Sequence, residues 1–194
     1  FDALPLDIIE AHDGKWRELL VDSQGGDFVF SPQENFIVVT PLPPRPDGFL
    51  TECRRGQKEL LHSVSTVMQK GFLLAIDYGM TGEDFLADHR SQGTLACYSK
   101  HCRDENPLAH PGEKDITAHV DFSALSRDAI ESGLSLRGYT DQHHFLVGAA
   151  TNLLQSMDGK TPSPLMLKKL RSLKMLLHPE TMGSQFKVIL FSKD

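Results

Sequence analysis

Residues 71–79 read Gly-Phe-Leu-Leu-Ala-Ile-Asp-Tyr-Gly. The unbroken apolar run from Phe72 to Ile76 predicts a strand covered on both faces, of the kind found in parallel sheets. Asp77, Tyr78 and Gly79 follow at its carboxyl end, where open α/β sheets collect their ligands. Just upstream, residues 57–69 carry Leu60, Leu61, Val64, Val67 and Met68 at helical spacing, and Gly71 reads as the stop. A helix feeding an all-apolar strand predicts an α/β fold with a buried parallel strand at this point.

Working towards the start of the chain, residues 6–21 alternate around His12-Asp-Gly-Lys15, an Asp-Gly hairpin signal. Residues 28–30 and 36–40 read as two further short strands separated by Ser31-Pro-Gln-Glu-Asn35. Pro41-Leu-Pro-Pro-Arg-Pro46 reads as a loop, since its prolines lack backbone donors. Towards the end, residues 93–98 predict a strand and residues 106–112 a turn-rich connection. Asp115-Ile-Thr-Ala-His-Val-Asp-Phe122 then alternates. It places Asp115, Thr117, His119 and Asp121 on one face and Ile116, Ala118, Val120 and Phe122 on the other.

Asp121 can cap a helix over 122–132 with Phe122, Leu125, Ala129 and Ile130 as its stripe. A strand over 134–139 follows, then a helix capped by Thr140 or Asp141 and running to about residue 155. Ser163-Pro164 opens another helix, with Met166, Leu170, Leu173 and Leu177 on one side. Residues 186–191 close the chain as a buried strand.

The composition narrows the function classes. With 194 residues, 40% of them hydrophobic, the chain can build a substantial core in one domain or a domain and a half. Its net charge of -6 lacks the basic footprint of a nucleic-acid-binding protein. The cluster Lys168, Lys169, Arg171 and Lys174 lies on a periodic helix and reads as a solvated face. Cys53, Cys97 and Cys102 are too few and too odd in number for a disulfide scaffold and point to a reducing compartment. No apolar run approaches the ~18 residues of a membrane span.

Several constellations could carry chemistry. The Asp77-Tyr78-Gly79 tip could orient a polar group of a substrate, or Asp77 could merely cap the following turn. The Asp115–Asp121 face could perturb pKa values and manage protons, or it could be the wet side of an edge strand. His89, His101, His110 and His119 with Cys97 and Cys102 match no zinc spacing, so no metal is expected. No phosphate-cradling glycine pattern and no Gly-x-Ser-x-Gly elbow occurs.

One ordered set of stretches spans nearly the whole chain. It comprises Phe1-Asp-Ala-Leu-Pro5, Trp16-Arg-Glu18, Ile76-Asp-Tyr-Gly79, Gly93-Thr-Leu95 with His101, Pro111-Gly112, and Asp115-Ile-Thr-Ala118. Val120-Asp-Phe122, Gln142 with Phe145-Leu146, and Met182-Gly183 with Phe186 complete it. In that order they resemble the MidA-like family of S-adenosylmethionine-dependent methyltransferases, which includes the mitochondrial complex I assembly protein-arginine methyltransferase. Family members look like Asn-Glu-x-x-Asp-Ala-x-Pro at the first stretch, and this chain shows the Asp-Ala-x-Pro part.

The resemblance implies the C-terminal half of a class I, Rossmann-like methyltransferase sheet with a family-specific α+β insertion. Residues 1–79 would be the second half of that sheet with an inserted hairpin region. Residues 80–140 would form a substrate-side segment, and 141–194 the closing helices and last strand. The cofactor-binding half would precede Phe1, leaving these residues inactive alone. It implies catalytic Asp2, Asp77 and Tyr78, with Asp2 nearest the transferred methyl group. Substrate contacts would fall on Pro5, Gly79, Asp115, Thr117, His119, Asp121 and Gln142. Only Phe1 and Asp2 would touch S-adenosylmethionine, and no residue would hold a metal.

The implied partner is a protein offering an arginine side chain, with no nucleic acid, no membrane span and room for a homodimer. The implied location is the cytoplasm of a bacterium or the mitochondrial matrix of a eukaryote, without secretion. The rival reading is a non-catalytic, methyltransferase-like assembly or interaction module. It is suggested by the large non-sheet content of residues 19–46 and 80–106.

Overall fold

A computed structural model describes residues 1–37, 42–100, 102–104, 106–156 and 163–194. In chain order the elements begin with β1 (Asp7–His12), β2 (Lys15–Gln24), β3 (Asp27–Ile37), β4 (Leu50–Cys53), α1 (Gly56–Val67) and β5 (Gly71–Met80). They continue with α2 (Gly82–Phe85), β6 (Ala96–Ser99), β7 (Cys102–Asp104), β8 (Asp115–Thr117), β9 (Val120–Asp121) and α3 (Phe122–Glu131). β10 (Ser135–Asp141), α4 (Gln142–Ser156), α5 (Pro164–Leu177) and β11 (Phe186–Lys193) complete the set. The chain divides into two compact units, Phe1–Leu60 with Thr81–Asp121, and Leu61–Met80 with Phe122–Asp194.

The first unit holds a four-stranded sheet in the order β3-β2-β1-β4 and a three-stranded sheet in the order β7-β6-β8. β1 and β2 pair antiparallel across Asp13-Gly14, whose φ values of 50° and 69° are those of the two-residue turn that an Asp-Gly pair favours. β3 corrects the expectation of two short strands, because it runs unbroken from residue 27 to 37. Pro32, opposite Leu19, is tolerated because β3 is the edge strand and the register slips there, between Arg17 and Leu19. Residues 38–40 of the expected second strand lie outside the described residues.

Ile9, Ala11, Trp16 and Phe49 are buried, and Trp16 meets Phe49 edge-on at 6.3 Å between ring centres. The strand expected over 93–98 starts only at Ala96, since the N–H groups of Thr94 and Leu95 are donated elsewhere (below). The strand expected over 115–122 likewise breaks after Thr117, where the carbonyls of Ala118 and His119 leave the ladder.

In the second unit β11 lies between β10 and β5 and is antiparallel to both, so β5 and β10 run parallel to each other with β11 reversed between them. The two most apolar β segments, 71–80 and 186–193, are therefore neighbours in one sheet. One of the two sheet neighbours of β5, β11, runs antiparallel to it. The burial is also one-sided: Ala75 and Asp77 are buried, whereas Phe72, Leu74 and Ile76 are 71%, 44% and 44% exposed. Val188, Ile189 and Phe191 of β11 are at most 2% exposed.

α3 buries Phe122, Leu125 and Ala129, while Ile130 faces out, against the expected stripe. Gly133, at φ +88°, closes α3 with paired hydrogen bonds from Gly133 N to Ile130 O and from Leu134 N to Ala129 O. Asp141 caps α4 by accepting the His144 N–H at 2.8 Å, and Ser163 caps α5 by accepting from Met166.

A candidate methyl-transfer site around Asp2

The structure brings Asp2 together with residues from three other stretches of the first unit. The Asp2 carbonyl accepts the N–H of Ala118 at 3.3 Å, and its Oδ2 accepts the hydroxyl of Thr117 at 3.0 Å. The Arg54 guanidinium, just past β4, donates to three carbonyls at once: Ala118 at 2.7 Å, His119 at 2.9 Å and Asp2 at 3.3 Å. Five donors in a rigid fork suit this task, which a single ammonium could not perform.

Two residues earlier, Glu52 is buried and anchors the loop before β6. Its Oε1 accepts the N–H groups of Thr94 and Leu95, at 2.5 and 2.7 Å, and its Oε2 accepts the Thr94 hydroxyl at 3.2 Å. Thr94 Oγ1 in turn accepts the N–H of His119 at 3.0 Å. Gly93 makes the close approach possible: its φ is +72°, and a Cβ there would lie 2.6 Å from Glu52 Oε1. Burial raises the Glu52 carboxyl above its ordinary range, outweighing its hydrogen bonds and the nearby Arg54 charge. Burial also lowers His119, with help from the Arg90 and Arg54 charges, so its imidazole favours the neutral form.

The other expected site residues are distributed as follows. Pro5 lines an apolar cavity of about 440 Å³ that also takes in Ile8, Leu20, Phe30, Leu95 and Leu108. Asp115 is exposed at the start of β8, opposite Tyr98, and Asp121 is half-buried. In the second unit, Asp77 is buried near the end of β5 and accepts its neighbour's N–H, from Tyr78, at 2.9 Å. The Tyr78 ring meets Phe186 edge-on at 5.8 Å. Gly79 is buried within β5, so the expected Asp-Tyr-Gly tip is instead part of the strand.

Gln142 donates its amide to the carbonyl of Leu176, and His143 Nδ1 donates to that of Leu177, tying the start of α4 to the end of α5. Among the described residues no group of three or more His, Cys, Asp or Glu side chains is placed to hold a metal ion, and His101 lies outside them. No helix of the described residues is long and apolar enough to cross a membrane.

Glu52 and Arg54 escaped sequence reasoning. Thr51-Glu52-Cys53-Arg54 has no chemical signature of its own, and the partners of Glu52 lie 42 and 43 residues away. The available signal was Gly93-Thr-Leu95, a glycine followed by a hydroxyl in a stretch otherwise read as a strand.

Comparison with known proteins gives this geometry its setting. The chain is 30% identical over 205 residues to the protein arginine methyltransferase NDUFAF7 homolog, mitochondrial, of Drosophila melanogaster, covering 97% of this chain and 44% of that protein. It is 30% identical over 198 residues to the protein arginine methyltransferase NDUFAF7, mitochondrial, of Rattus norvegicus, covering 96% of this chain and 42% of that one. The chain thus spans less than half the length of these curated relatives. A crystal structure of a COG1565 superfamily member from Burkholderia thailandensis, bound to S-adenosyl-homocysteine, superposes with a TM-score of 0.82 at 29% identity. That likeness covers 99% of this chain and 51% of the other. Residues 1–140 match the family described as "Putative S-adenosyl-L-methionine-dependent methyltransferase". The chain belongs to that family, and its mixed α/β architecture is a Rossmann-like methyltransferase fold.

Proposed function

We propose that the intact protein transfers a methyl group from S-adenosylmethionine to an arginine side chain of a protein, with these residues forming the substrate side of the cleft. When bound, the cofactor supplies an electrophilic methyl group and leaves as S-adenosylhomocysteine. A protein substrate is supported by the names of the relatives, protein arginine methyltransferases. S-adenosylmethionine is supported by the family and by the S-adenosyl-homocysteine of the Burkholderia structure.

The observation that carries the reading is the fixed carboxylate of Asp2. Its Oδ2 is held by the Thr117 hydroxyl, its Oδ1 lies 3.8 Å from the Phe1 amino group, and the side chain is 33% exposed, so an anchored carboxylate stands where a cationic group can approach it. An arginine guanidinium stays protonated when free, and orienting it asks for a carboxylate acceptor. As the guanidinium nitrogen bonds to the methyl carbon, the carbon–sulfur bond breaks and the nitrogen sheds a proton. Asp2 is the assigned acceptor or relay for that proton, and positioning by Thr117 supplies much of the remaining acceleration.

Asp77 and Tyr78 are assigned as further orienting groups. Gly79, Pro5, Asp115, Thr117, His119, Asp121 and Gln142 are assigned to the substrate side, with Gln142 acting through the helix it ties down. Phe1 and Asp2 would touch the cofactor, whose main hold we assign to residues outside these 194. Residues 1–140 are accordingly divided between sheet and substrate-side segment, and 141–194 close the fold. The names of the relatives support a mitochondrial location in a eukaryote; within it we assign the matrix, with the cytoplasm as the bacterial counterpart.

The test incubates the intact protein with methyl-labelled S-adenosylmethionine and a protein extract, then analyses the hydrolysed acceptor for amino acids. Label in methylarginine is the expected result. Label confined to another residue type overturns the arginine assignment. No cofactor binding by calorimetry, together with no transfer to any acceptor, would favour the interaction module. The 194 residues alone are expected to transfer no label.

A further inference from the structure

We infer that Glu52 and Arg54 are positioning residues that hold the Asp2 carboxylate in its working geometry; this rests on the proposed role of Asp2. The segment 117–119 is the platform on which Asp2 sits, through the Thr117 hydroxyl and the Ala118 N–H. That platform is gripped from both sides of its backbone. Arg54 takes the carbonyls of Ala118 and His119, and the same guanidinium reaches over to the carbonyl of Asp2. Thr94 Oγ1 accepts the N–H of His119 and donates its own hydroxyl to Glu52 Oε2.

Two side chains on one short stretch thus join residues 2, 93–95 and 117–119, which are separated by tens of residues in the chain. Three carbonyls converging on one point repel each other, and a planar cation with several N–H donors between them relieves that repulsion. A displacement of about 1 Å at a reacting group can cost ~100-fold in rate, so this junction controls turnover as well as folding.

Two charged groups on β4 and its extension carry the arrangement at a cost. Burial of Glu52 disfavours its charge, and the hydrogen bonds it accepts from Thr94 and Leu95 offset part of that cost. Gly93 is bound into the same device, since only a residue lacking Cβ lets the loop close on the carboxylate.

The test compares variants of the intact protein, with kcat counted per folded, cofactor-binding molecule and thermal midpoints measured alongside. Arg54→Lys keeps the charge but loses the fork, and is expected to lower kcat about 10–100-fold with the KM for S-adenosylmethionine changed less than about threefold. Glu52→Ala is expected to lose about tenfold or more, whereas Glu52→Gln, which can accept the same two N–H groups, returns kcat to within a fewfold of the parent. Arg54→Lys and Glu52→Ala holding kcat within twofold per folded molecule, while Asp2→Asn abolishes it, would overturn the inference and leave the site reading intact. An Asp2→Asn protein with undiminished kcat would overturn both. A fall in total activity that disappears once counted per folded molecule would make the pair structural and overturn the inference as well.

Discussion

The surroundings of Asp2 and of β11 are built by opposite means. Around β11 the packing is apolar and the ladder with β5 regular, with Val188, Ile189 and Phe191 buried and eight successive residues paired. Around Asp2 the contacts are polar, run mostly from side chain to main chain, and join four separate stretches. Apolar packing is non-directional and scales with area, whereas each bond at Asp2 depends on one partner in one orientation. The first kind of region sets stability; the second sets geometry.

Mutations should separate the two. The largest stability loss is expected from Phe191→Ala, about 3–5 kcal/mol, because a fully buried ring leaves both lost transfer energy and a cavity. Urea unfolding would check it, and a loss under about 1 kcal/mol would show that β11 is not the core of its unit. Gly93→Ala should cost about 2–3 kcal/mol, combining a left-handed backbone with a Cβ pressed against Glu52. If the alanine variant melts with the parent, the Glu52 anchor is not rigid and the contrast between the regions weakens. Asp141→Ala removes one helix cap and should cost about 1 kcal/mol by the same unfolding measurement.

The smallest effect is one of pH. His119 binds its proton less readily in the folded state than in the unfolded chain, whose histidine titrates near 6.5. Below that pH the unfolded chain takes up a proton that the folded one refuses, so stability falls as pH drops from about 6.5 towards the lowered value. His119→Asn should flatten this part of the stability–pH curve. An unchanged slope in the variant would mean that His119 is no more buried from protons than an exposed histidine.

The same contrast explains what was legible in the sequence. Periodicity located the hairpin at Asp13-Gly14, both closing helices with their caps, and the strands over 71–79 and 186–191, though not their pairing, since these depend on local pattern and turn chemistry. It did not reveal that β11 lies antiparallel beside β5, because a strand's apolar run says nothing about which neighbour inserts beside it. It overran the strands at 93–95 and 118–119, where backbone groups are claimed by Glu52 and Arg54 instead of a ladder. A bond between residues 54 and 118 leaves no trace in either local pattern. Asp2 and Thr117 were reached through family resemblance, and their mutual hydrogen bond through the fold.

The central claim is that the Asp2 carboxylate works at the reacting end of the substrate. Its most direct measurement is single-turnover methyl transfer by the intact protein carrying Asp2→Asn, a change that retains an acceptor for Thr117 while removing the negative charge. We expect the rate to fall about 100-fold or more while S-adenosylmethionine still binds. A rate within twofold of the parent would contradict the account.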